Sequence, residues 1–455
     1  MTARKGFDWS QPRSAPQMTP LQMAHAKALD GLMHRLEETQ WLSADALRAL
    51  QMQQLAVVAK HFAATHGGFR KMLGEAGIGA AELTSMAALR KLPLLTRRTL
   101  QGMSAVADDK LPQGHAPTET LTTSGSTGEP VVVRRTAINA LFWYALTMRE
   151  LFWHQTPFSQ RFTAIRATNS EYALLPDWSV PVNLFFETGP AQAIPITTDI
   201  ATVVAQLRTF RPETLLVYPG VLAGIERQCR AEGRGIEELR LIRTIGETLP
   251  EAVRQACEET FGCAVIDNYS AQEVGTIAVQ CPESDLYHVM DEALIVEVLD
   301  ENDAPCAVGE AGRAVITDLR NAATPLFRYD IGDYVEVGPP CPCGRGLSTL
   351  ARVAGRERNL IAMPDGTRHW PLVGYAQFRS VAPVLQFQIV QTELTKIEAR
   401  LVTERALTAS EENALRGVIT KALGYPFEVS FAYFDGALPR SKTGKFEEFL
   451  SLVQS

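Results

Sequence analysis

The middle of the chain alternates between strand-like and helix-like segments. Short apolar runs at 214–218, 239–245 and 264–268 predict buried strands. Two longer segments between them, 222–231 and 251–261, have the apolar spacing of helices. Strands that alternate with helices in this way join in parallel through crossover connections. The pattern therefore predicts an α/β domain with a largely parallel sheet.

The N-terminal part differs from this pattern. Residues 1–18 are polar and punctuated by proline, so we expect a flexible N-terminal arm. A helical spacing of apolar residues begins after Ser43, whose side chain is a suitable N-cap. We expect Gly67 and Gly68 to end that helix.

The C-terminal part indicates two further regions. After Cys281, short strands joined by Gly, Asp and Pro turns predict a β-rich subdomain. Beyond residue 356 two strands, a helix and a last alternating strand at 427–433 predict a small α+β domain. We therefore expect a large domain at 19–355 and a small domain at 356–455.

The overall composition excludes several classes of protein. The chain has 44 basic and 51 acidic residues, a net charge of −7, so it has no cationic excess for binding nucleic acid. Its apolar runs are shorter than the roughly 18 residues of a membrane span, and its N-terminus lacks the apolar core of a secretory signal. Seven cysteines in such a chain indicate thiols or metal ligands rather than disulfides. We expect a cytoplasmic protein without nucleic-acid or membrane partners.

A loop rich in serine, threonine and glycine carries the sharpest chemical signal. Two glycines and five hydroxyl side chains occupy seven of the eight positions 121–128. Glycines let several backbone N–H groups approach one anion, and hydroxyls add donors without bulk. The loop lacks the Gly-Lys-Ser/Thr ending of a Walker motif, and a polar flexible loop is the alternative. The residues predicted to hold phosphate are Thr123, Ser124, Gly125, Ser126, Thr127 and Gly128.

Five segments in a fixed order carry a family resemblance. They are the loop above, Gly246-Glu247, the segment Asn268-Tyr269-Ser270-Ala271-Gln272-Glu273, the segment 326–333 that ends at Asp333, and Gly355-Arg356 followed by 439–445. In this order they resemble the adenylate-forming superfamily, and within it the chain is most similar to phenylacetate–CoA ligase-like enzymes. The resemblance implies a large N-terminal adenylate-forming domain and a small, mobile C-terminal domain.

The resemblance also implies roles for single residues. Lys445 acts in adenylation as a point charge on the α-phosphate and carboxylate oxygens, with Lys442 as the nearby alternative. Glu273 holds magnesium, and Asp333 and Arg356 bind the ribose. Gly246, Glu247, Asn268 and Tyr269 belong to the nucleotide site.

Asn359 is a departure from the family pattern. It stands where relatives have the aspartate on which the small domain pivots. Asparagine tolerates the unusual backbone angles that a hinge needs, so rotation of the small domain stays an expectation.

Three cysteines and one histidine form a second group. Cys281, His288, Cys341 and Cys343 are the right types and number for a tetrahedral structural zinc. The Cys-x-Cys spacing is tighter than the usual Cys-x2-Cys, and buried thiols in a glycine-rich turn are the alternative. A comparable set in some phenylacetate–CoA ligase-like proteins favours zinc.

The resemblance implies an AMP-forming acid–CoA ligase that uses ATP, magnesium and CoA, and the cysteine group adds a structural zinc. The expected substrate is a small carboxylic acid. The resemblance to phenylacetate–CoA ligases favours an aromatic acid, and Trp143, Tyr144, Phe185 and Tyr269 offer aromatic surface for it. His154, in the same aromatic stretch, is a substrate-side residue or part of the core. Two alternatives stay open: transfer to a carrier protein or an amine, and a catalytically lapsed nucleotide- or acyl-binding protein. A homodimer is also left open.

Overall fold

The computed structural model describes residues 7, 9–13, 19–103, 105–122, 131–356, 361–366, 368–369, 378, 380–435, 438 and 449–453. The chain forms two compact units. The first contains residues 1–162, 173–192 and 266–353, and the second contains 163–172, 193–265 and 354–455.

The first unit begins with helices. Ser43 caps the second helix by accepting a hydrogen bond from the backbone of Ala46, as predicted. That helix ends at Thr65, and His66 caps a new helix that starts at Gly67, so the two glycines begin a helix instead of ending one. The helices of this unit are α1 (Pro20–Thr39), α2 (Ala44–Thr65), α3 (Gly67–Ala76), α4 (Met86–Leu89), α5 (Arg97–Gln101) and α6 (Ala137–Trp153).

An antiparallel sheet forms the rest of the first unit, in the region predicted to be β-rich. Its strand order is β11-β12-β13-β14-β10-β9-β8. A hairpin of β1 and β2 and the short strand β4 also lie in this unit. The strands are β1 (Thr118–Thr122), β2 (Val132–Thr136), β4 (Ala173–Leu175), β8 (Ala264–Ala271), β9 (Gly275–Gln280), β10 (Tyr287–Val289), β11 (Leu294–Leu299), β12 (Ala311–Asp318), β13 (Tyr329–Val337) and β14 (Thr349–Arg356).

The alternating middle of the chain is confirmed as an α/β segment in the second unit. Strands β6 and β7 pair in parallel, and helix α8 connects them. An apolar core of aliphatic side chains packs between these elements. The elements are β3 (Phe162–Arg166), β5 (Ala191–Pro195), α7 (Ile200–Phe210), β6 (Thr214–Val217), α8 (Pro219–Ala231), β7 (Leu241–Ile245) and α9 (Glu251–Phe261).

The C-terminal part of the second unit contains a four-stranded sheet and a helix at Ala409–Leu423, in agreement with the predicted α+β pattern. The strand order is β19-β18-β17-β20, and β17 pairs antiparallel with β18 and parallel with β20. Its elements are β15 (Ile361–Ala362), β16 (Arg368–His369), β17 (Val384–Glu393), β18 (Lys396–Thr403), α10 (Ala409–Leu423), β19 (Glu428–Tyr433) and β20 (Phe449–Ser451). The domain boundary at 356 stays a prediction.

Part of the expected N-terminal arm is docked. Phe7 is buried and stacks on Phe152 of α6 with ring centroids 4.7 Å apart. Trp9 stacks on His34 of α1 at 4.4 Å. These contacts form because aromatic side chains bury large apolar areas. Among the helices that the structure describes, none has both the length and the apolar character of a membrane span.

Candidate active site and metal-binding cluster

Asp333 on β13 faces Tyr269 on β8. The Tyr269 hydroxyl donates a hydrogen bond of 2.9 Å to Oδ2 of Asp333. Both side chains are buried. The bond orients the carboxylate, and it brings together two residues that the sequence assigned to the nucleotide site.

Glu273 lies in the turn between β8 and β9, and only 4% of it is exposed. Gly275 follows with a φ of +80°, and a Cβ there would come within 3.2 Å of the Trp143 ring on α6. Glycine accommodates both that backbone angle and that close approach. The turn that carries the candidate magnesium ligand is therefore packed against an aromatic ring.

Arg328, in the segment that ends at Asp333, has a structural role. Its Nε pairs with Glu297 at 3.1 Å, and its Nη1 donates to the carbonyl oxygens of Leu92 at 2.7 Å and Arg90 at 3.0 Å. The arginine thereby holds the start of β13 against residues 90–92. Within one motif, Arg328 fixes the backbone while Asp333 faces Tyr269.

Asn268 is directed toward α6. Its Nδ2 donates to the Glu150 carboxylate at 2.8 Å, and its Oδ1 is buried and accepts no hydrogen bond from the described residues. The strand alternation places the side chains of Asn268 and Tyr269 on opposite faces of β8. A nucleotide contact for Asn268 stays a prediction.

Gly246 and Glu247 follow β7 in the second unit. Gly246 has a φ of +75°, and a Cβ there would lie 2.8 Å from the Tyr218 ring. Oε2 of Glu247 accepts a hydrogen bond of 2.8 Å from the backbone of Gly220, in the first turn of α8. Sequence reasoning missed Tyr218. Its position directly after the buried strand β6 was the available signal, because ligands in α/β sheets bind at the carboxyl ends of strands.

Other predicted site residues lie outside the described residues. These are the phosphate-loop residues Thr123–Gly128, the pivot residue Asn359, and Lys442 and Lys445; the side chain of Arg356 is also outside. The flanks of the phosphate loop are described: Thr122 and Val132 are cross-strand partners in the β1–β2 hairpin. The loop sequence thus connects two paired strands, and the roles of these residues stay predictions.

The aromatic residues predicted near the acid divide into two groups. Phe185 is buried beside Phe186 in the core, with ring centroids 6.5 Å apart. Trp143 and Tyr144 are partly buried on α6. Nε2 of His154 lies 3.0 Å from the carbonyl oxygen of Gln280, a contact typical of a core residue.

The structure brings the three cysteines and the histidine together. The ligand atoms of Cys281, His288, Cys341 and Cys343 all lie within 4.8 Å of one another. Nε2 of His288 is 3.3 Å from Sγ of Cys343, and Sγ of Cys341 is 3.7 Å from Sγ of Cys281. His288 is fully buried on β10.

Hydrogen bonding within the cluster shifts the pKa values of two thiols in opposite directions. A hydrogen bond with Cys281 lowers the pKa of Cys343, and the same bond raises the pKa of Cys281. Burial lowers the pKa of His288, but its hydrogen bonds with Cys341 and Cys343 raise that pKa by more. Three sulfurs and one ring nitrogen, converging in a buried place, are the donor set of a tetrahedral zinc site. The residues present therefore fit that ion.

Arg345, two residues after the last cysteine, is buried between two tryptophan rings. Its guanidinium lies 4.8 Å from the ring centroid of Trp41 and 4.5 Å from that of Trp153. Its Nε donates to Oε1 of Gln40 at 2.9 Å, and Trp153 Nε1 donates to the same oxygen at 2.8 Å. The cysteine-containing loop is thereby fixed to the end of α1.

Gly346 makes the closest approach in this contact. Its N–H donates to the carbonyl oxygen of Gln40 at 2.9 Å. A Cβ at this position would overlap the carbonyl oxygen of Leu42. Only glycine allows the two backbones to come so close.

Comparisons with known proteins agree with these features. No family model matches the chain. The phenylacetate-coenzyme A ligase of Thermus thermophilus is 23% identical over 459 aligned positions, which cover 91% of this chain and 98% of that protein. The phenylacetate-coenzyme A ligase of Escherichia coli K12 is 25% identical over 436 positions, which cover 90% and 95%.

Solved structures show the same fold. A 2-hydroxyisobutyryl-CoA ligase in the postadenylation state superposes with a TM-score of 0.70 at 16% identity, over 91% of each chain. An anthranilate CoA ligase in complex with anthranoyl-AMP gives a TM-score of 0.54 at 16% identity, over 72% of this chain and 65% of that one. The fold is that of adenylate-forming CoA ligases, and the resemblance to phenylacetate–CoA ligases inferred from the motifs is confirmed.

Replacement of Gly346 by alanine should destabilise the protein. The added methyl group must displace the backbone at Leu42, and we expect the free energy of unfolding to fall by about 1–3 kcal/mol. Gly31→Ala is the matched control, because nothing lies within 4 Å of a Cβ there and the site is inside α1. It should raise stability by roughly 0.5–1 kcal/mol. Thermal unfolding of the two variants checks this, and equal melting temperatures would contradict the close approach.

Proposed function

We propose that the protein is an AMP-forming acid–CoA ligase. It activates a carboxylic acid with ATP to an acyl-adenylate and passes the acyl group to CoA. The observation that carries the proposal is the similarity to phenylacetate–CoA ligases over nine-tenths of the chain. The oriented Asp333 and the buried Glu273 support it, since both are motif positions of such enzymes.

Adenylation joins two anions, and the residues have separate parts in it. The acid carboxylate attacks the α-phosphorus of ATP, a new C–O–P bond forms, and pyrophosphate leaves. Glu273 would hold a magnesium ion, and the chemistry such an ion would supply is positive charge against the repulsion between substrate oxygens. Asp333 accepts hydrogen bonds from the ribose hydroxyls, and Tyr269 keeps its carboxylate oriented. In the second step the CoA sulfur attacks the acyl carbon, and AMP leaves.

The direct test of this function is pyrophosphate exchange into ATP with a panel of acids, followed by the same assay with CoA. Exchange that depends on the acid, with CoA-thioester formed when CoA is present, is the expected result. No exchange with any acid would contradict the proposal and favour a lapsed binding protein. Exchange without thioester would favour a carrier protein or an amine as acceptor.

Lys445 supplies positive charge to the transition state of adenylation. Lys445→Ala should lower the rate of acid-dependent pyrophosphate exchange by about 10²-fold or more, which is ~2.7 kcal/mol of transition-state stabilisation. Thioester formation from a pre-made acyl-adenylate should persist. Lys442→Ala is the control and should exchange pyrophosphate normally. Full exchange in the Lys445 variant would remove the assignment.

The preferred acid is aromatic. The support for this is Trp143. Its ring packs on Gly275, two residues after Glu273, and the guanidinium carbon of Arg135 lies 5.9 Å from the ring centroid. A flat acid gains about 0.5–1.5 kcal/mol from one aromatic contact beyond its buried area. We therefore expect a higher kcat/KM for benzoate or phenylacetate than for acetate or palmitate.

Replacement of Trp143 tests that preference. Trp143→Ala should lower kcat/KM for the aromatic acids about 5- to 10-fold, while the value for acetate changes less than about twofold. Trp143→Phe, which keeps a ring, should retain most of the preference. Strong turnover of palmitate, or equal losses for acetate and phenylacetate in the alanine variant, would reject the aromatic class.

Cys281, His288, Cys341 and Cys343 hold a structural zinc ion. The purified protein should contain about one zinc per chain. Cys343→Ser should lose most of this zinc and melt several degrees lower, since metal binding to a folded site is also folding free energy. Cys306→Ser is the control, because Cys306 lies outside the cluster. A metal-free preparation with the unchanged melting temperature would contradict zinc. A cytoplasmic location stays a prediction, and assembly as a homodimer stays open.

A further inference from the structure

Gln391 on β17 is a fully buried polar residue in the C-terminal sheet. A buried amide is stable only when its donors and acceptor are hydrogen-bonded. Its Nε2 donates to the carbonyl oxygens of Ala362 at 2.7 Å and Leu394 at 3.3 Å. Its Oε1 accepts hydrogen bonds of 2.9 Å from the backbone of Ala362 and from Oγ of Ser451. One side chain thus contacts the backbone of Ala362 and Leu394 and the hydroxyl group of Ser451.

The contact with Ala362 has the form of strand pairing. The Gln391 amide both donates to and accepts from the backbone of one residue, as an adjacent strand does in a hydrogen-bonded pair. Ala362 belongs to the short strand β15, which begins two residues after Asn359. Gln391 therefore attaches the segment that follows the predicted pivot to the four-stranded sheet.

The second contact attaches the segment that follows Lys445. β20 runs parallel to β17, with Ser451 as the partner of Gln391, and Leu452 N–H donates to the Gln391 carbonyl oxygen at 2.8 Å. On the other side of Lys445, the Leu438 N–H donates to Oε1 of Gln386, also on β17, at 2.9 Å. Both described flanks of the segment 439–448 are thus bound to one strand.

From these contacts we infer that Gln391 is a positioning residue for adenylation. The inference rests on the proposed function, in which Lys445 stabilises the transition state. Gln391 joins the strand after the pivot and the strand after Lys445 to the same point of β17. The residues on both sides of the lysine segment, Leu438 and Ser451, are therefore attached to the same strand as residues 361–362.

The first test is Gln391→Leu, which keeps the size of the side chain and removes its hydrogen bonds. We expect kcat of pyrophosphate exchange to fall on the order of 10- to 100-fold, because a displaced catalytic group loses its reactive geometry. The KM values for ATP and for the acid should stay within about twofold. Thioester formation from a pre-made acyl-adenylate should also be retained, since Lys445 does not act in that step.

Gln388→Leu is the matched control. Gln388 is a buried glutamine three residues earlier on β17, and its Oε1 accepts from Arg400 on β18 at 3.1 Å. If both leucine variants lose the same kcat at the same loss of melting temperature, Gln391 is a structural residue only and the inference is overturned. Gln391→Glu, which keeps the acceptor oxygen and loses the donation to Ala362, should lose kcat in the same direction.

Amide hydrogen exchange of the unmodified protein gives a test that needs no substitution, so misfolding of a variant cannot affect it. The N–H groups of Ala362 and Leu452 should exchange in one cooperative step, because Gln391 binds both segments. Exchange of the two at unrelated rates would overturn the inference. Lys445→Ala in the pyrophosphate-exchange assay separates failure of the inference from failure of the proposed function. Loss of pyrophosphate exchange in Lys445→Ala with a normal kcat in Gln391→Leu rejects only the inference. Normal pyrophosphate exchange in Lys445→Ala rejects both the inference and the assigned role of Lys445.

Discussion

A buried ion pair, Arg149 with Glu292, holds the first unit together. The guanidinium donates to both carboxylate oxygens, at 3.1 and 2.7 Å, and its Nη2 also donates to the carbonyl oxygen of Leu36 at the end of α1. Thr39 donates to the same carboxylate at 2.9 Å. Burial raises the pKa of Glu292, but the charge and hydrogen bonds of Arg149 lower it by more, so the carboxylate stays ionised. Loss of one partner would cost about 3–5 kcal/mol, since the other charge would be buried alone.

Contacts of Trp153 connect this ion pair to the cysteine cluster. Trp153 lies between the guanidinium groups of Arg149, at 5.5 Å, and Arg345, at 4.5 Å. Its ring also meets the edge of His288 at 5.5 Å. A tetrahedral site with three thiolates and zinc has a net charge of about −1, and the buried Arg345 brings a positive charge next to it. The end of α1 and the cysteine-containing loop are therefore parts of one buried network.

The sequence predicted the elements better than their contacts. The strands and helices from 214 to 268 were predicted because a buried apolar run determines local structure by its own spacing. The cysteine cluster was predicted because metal chemistry requires particular residue types in a particular number. The docking of Phe7, the start of a helix at Gly67 and the role of Gln391 depend on partners far away in sequence. No local pattern could have predicted them.

The burial pattern of β13 determines the surroundings of Asp333. Tyr329, Ile331, Asp333 and Val335 are the buried positions of β13, alternating with more exposed ones. A carboxylate on this mostly apolar face loses hydration, and that loss is tolerable only if donors replace the water. Tyr269 is one such donor. The ribose hydroxyl groups proposed to bind Asp333 would be further donors of this kind, in a place where little water competes.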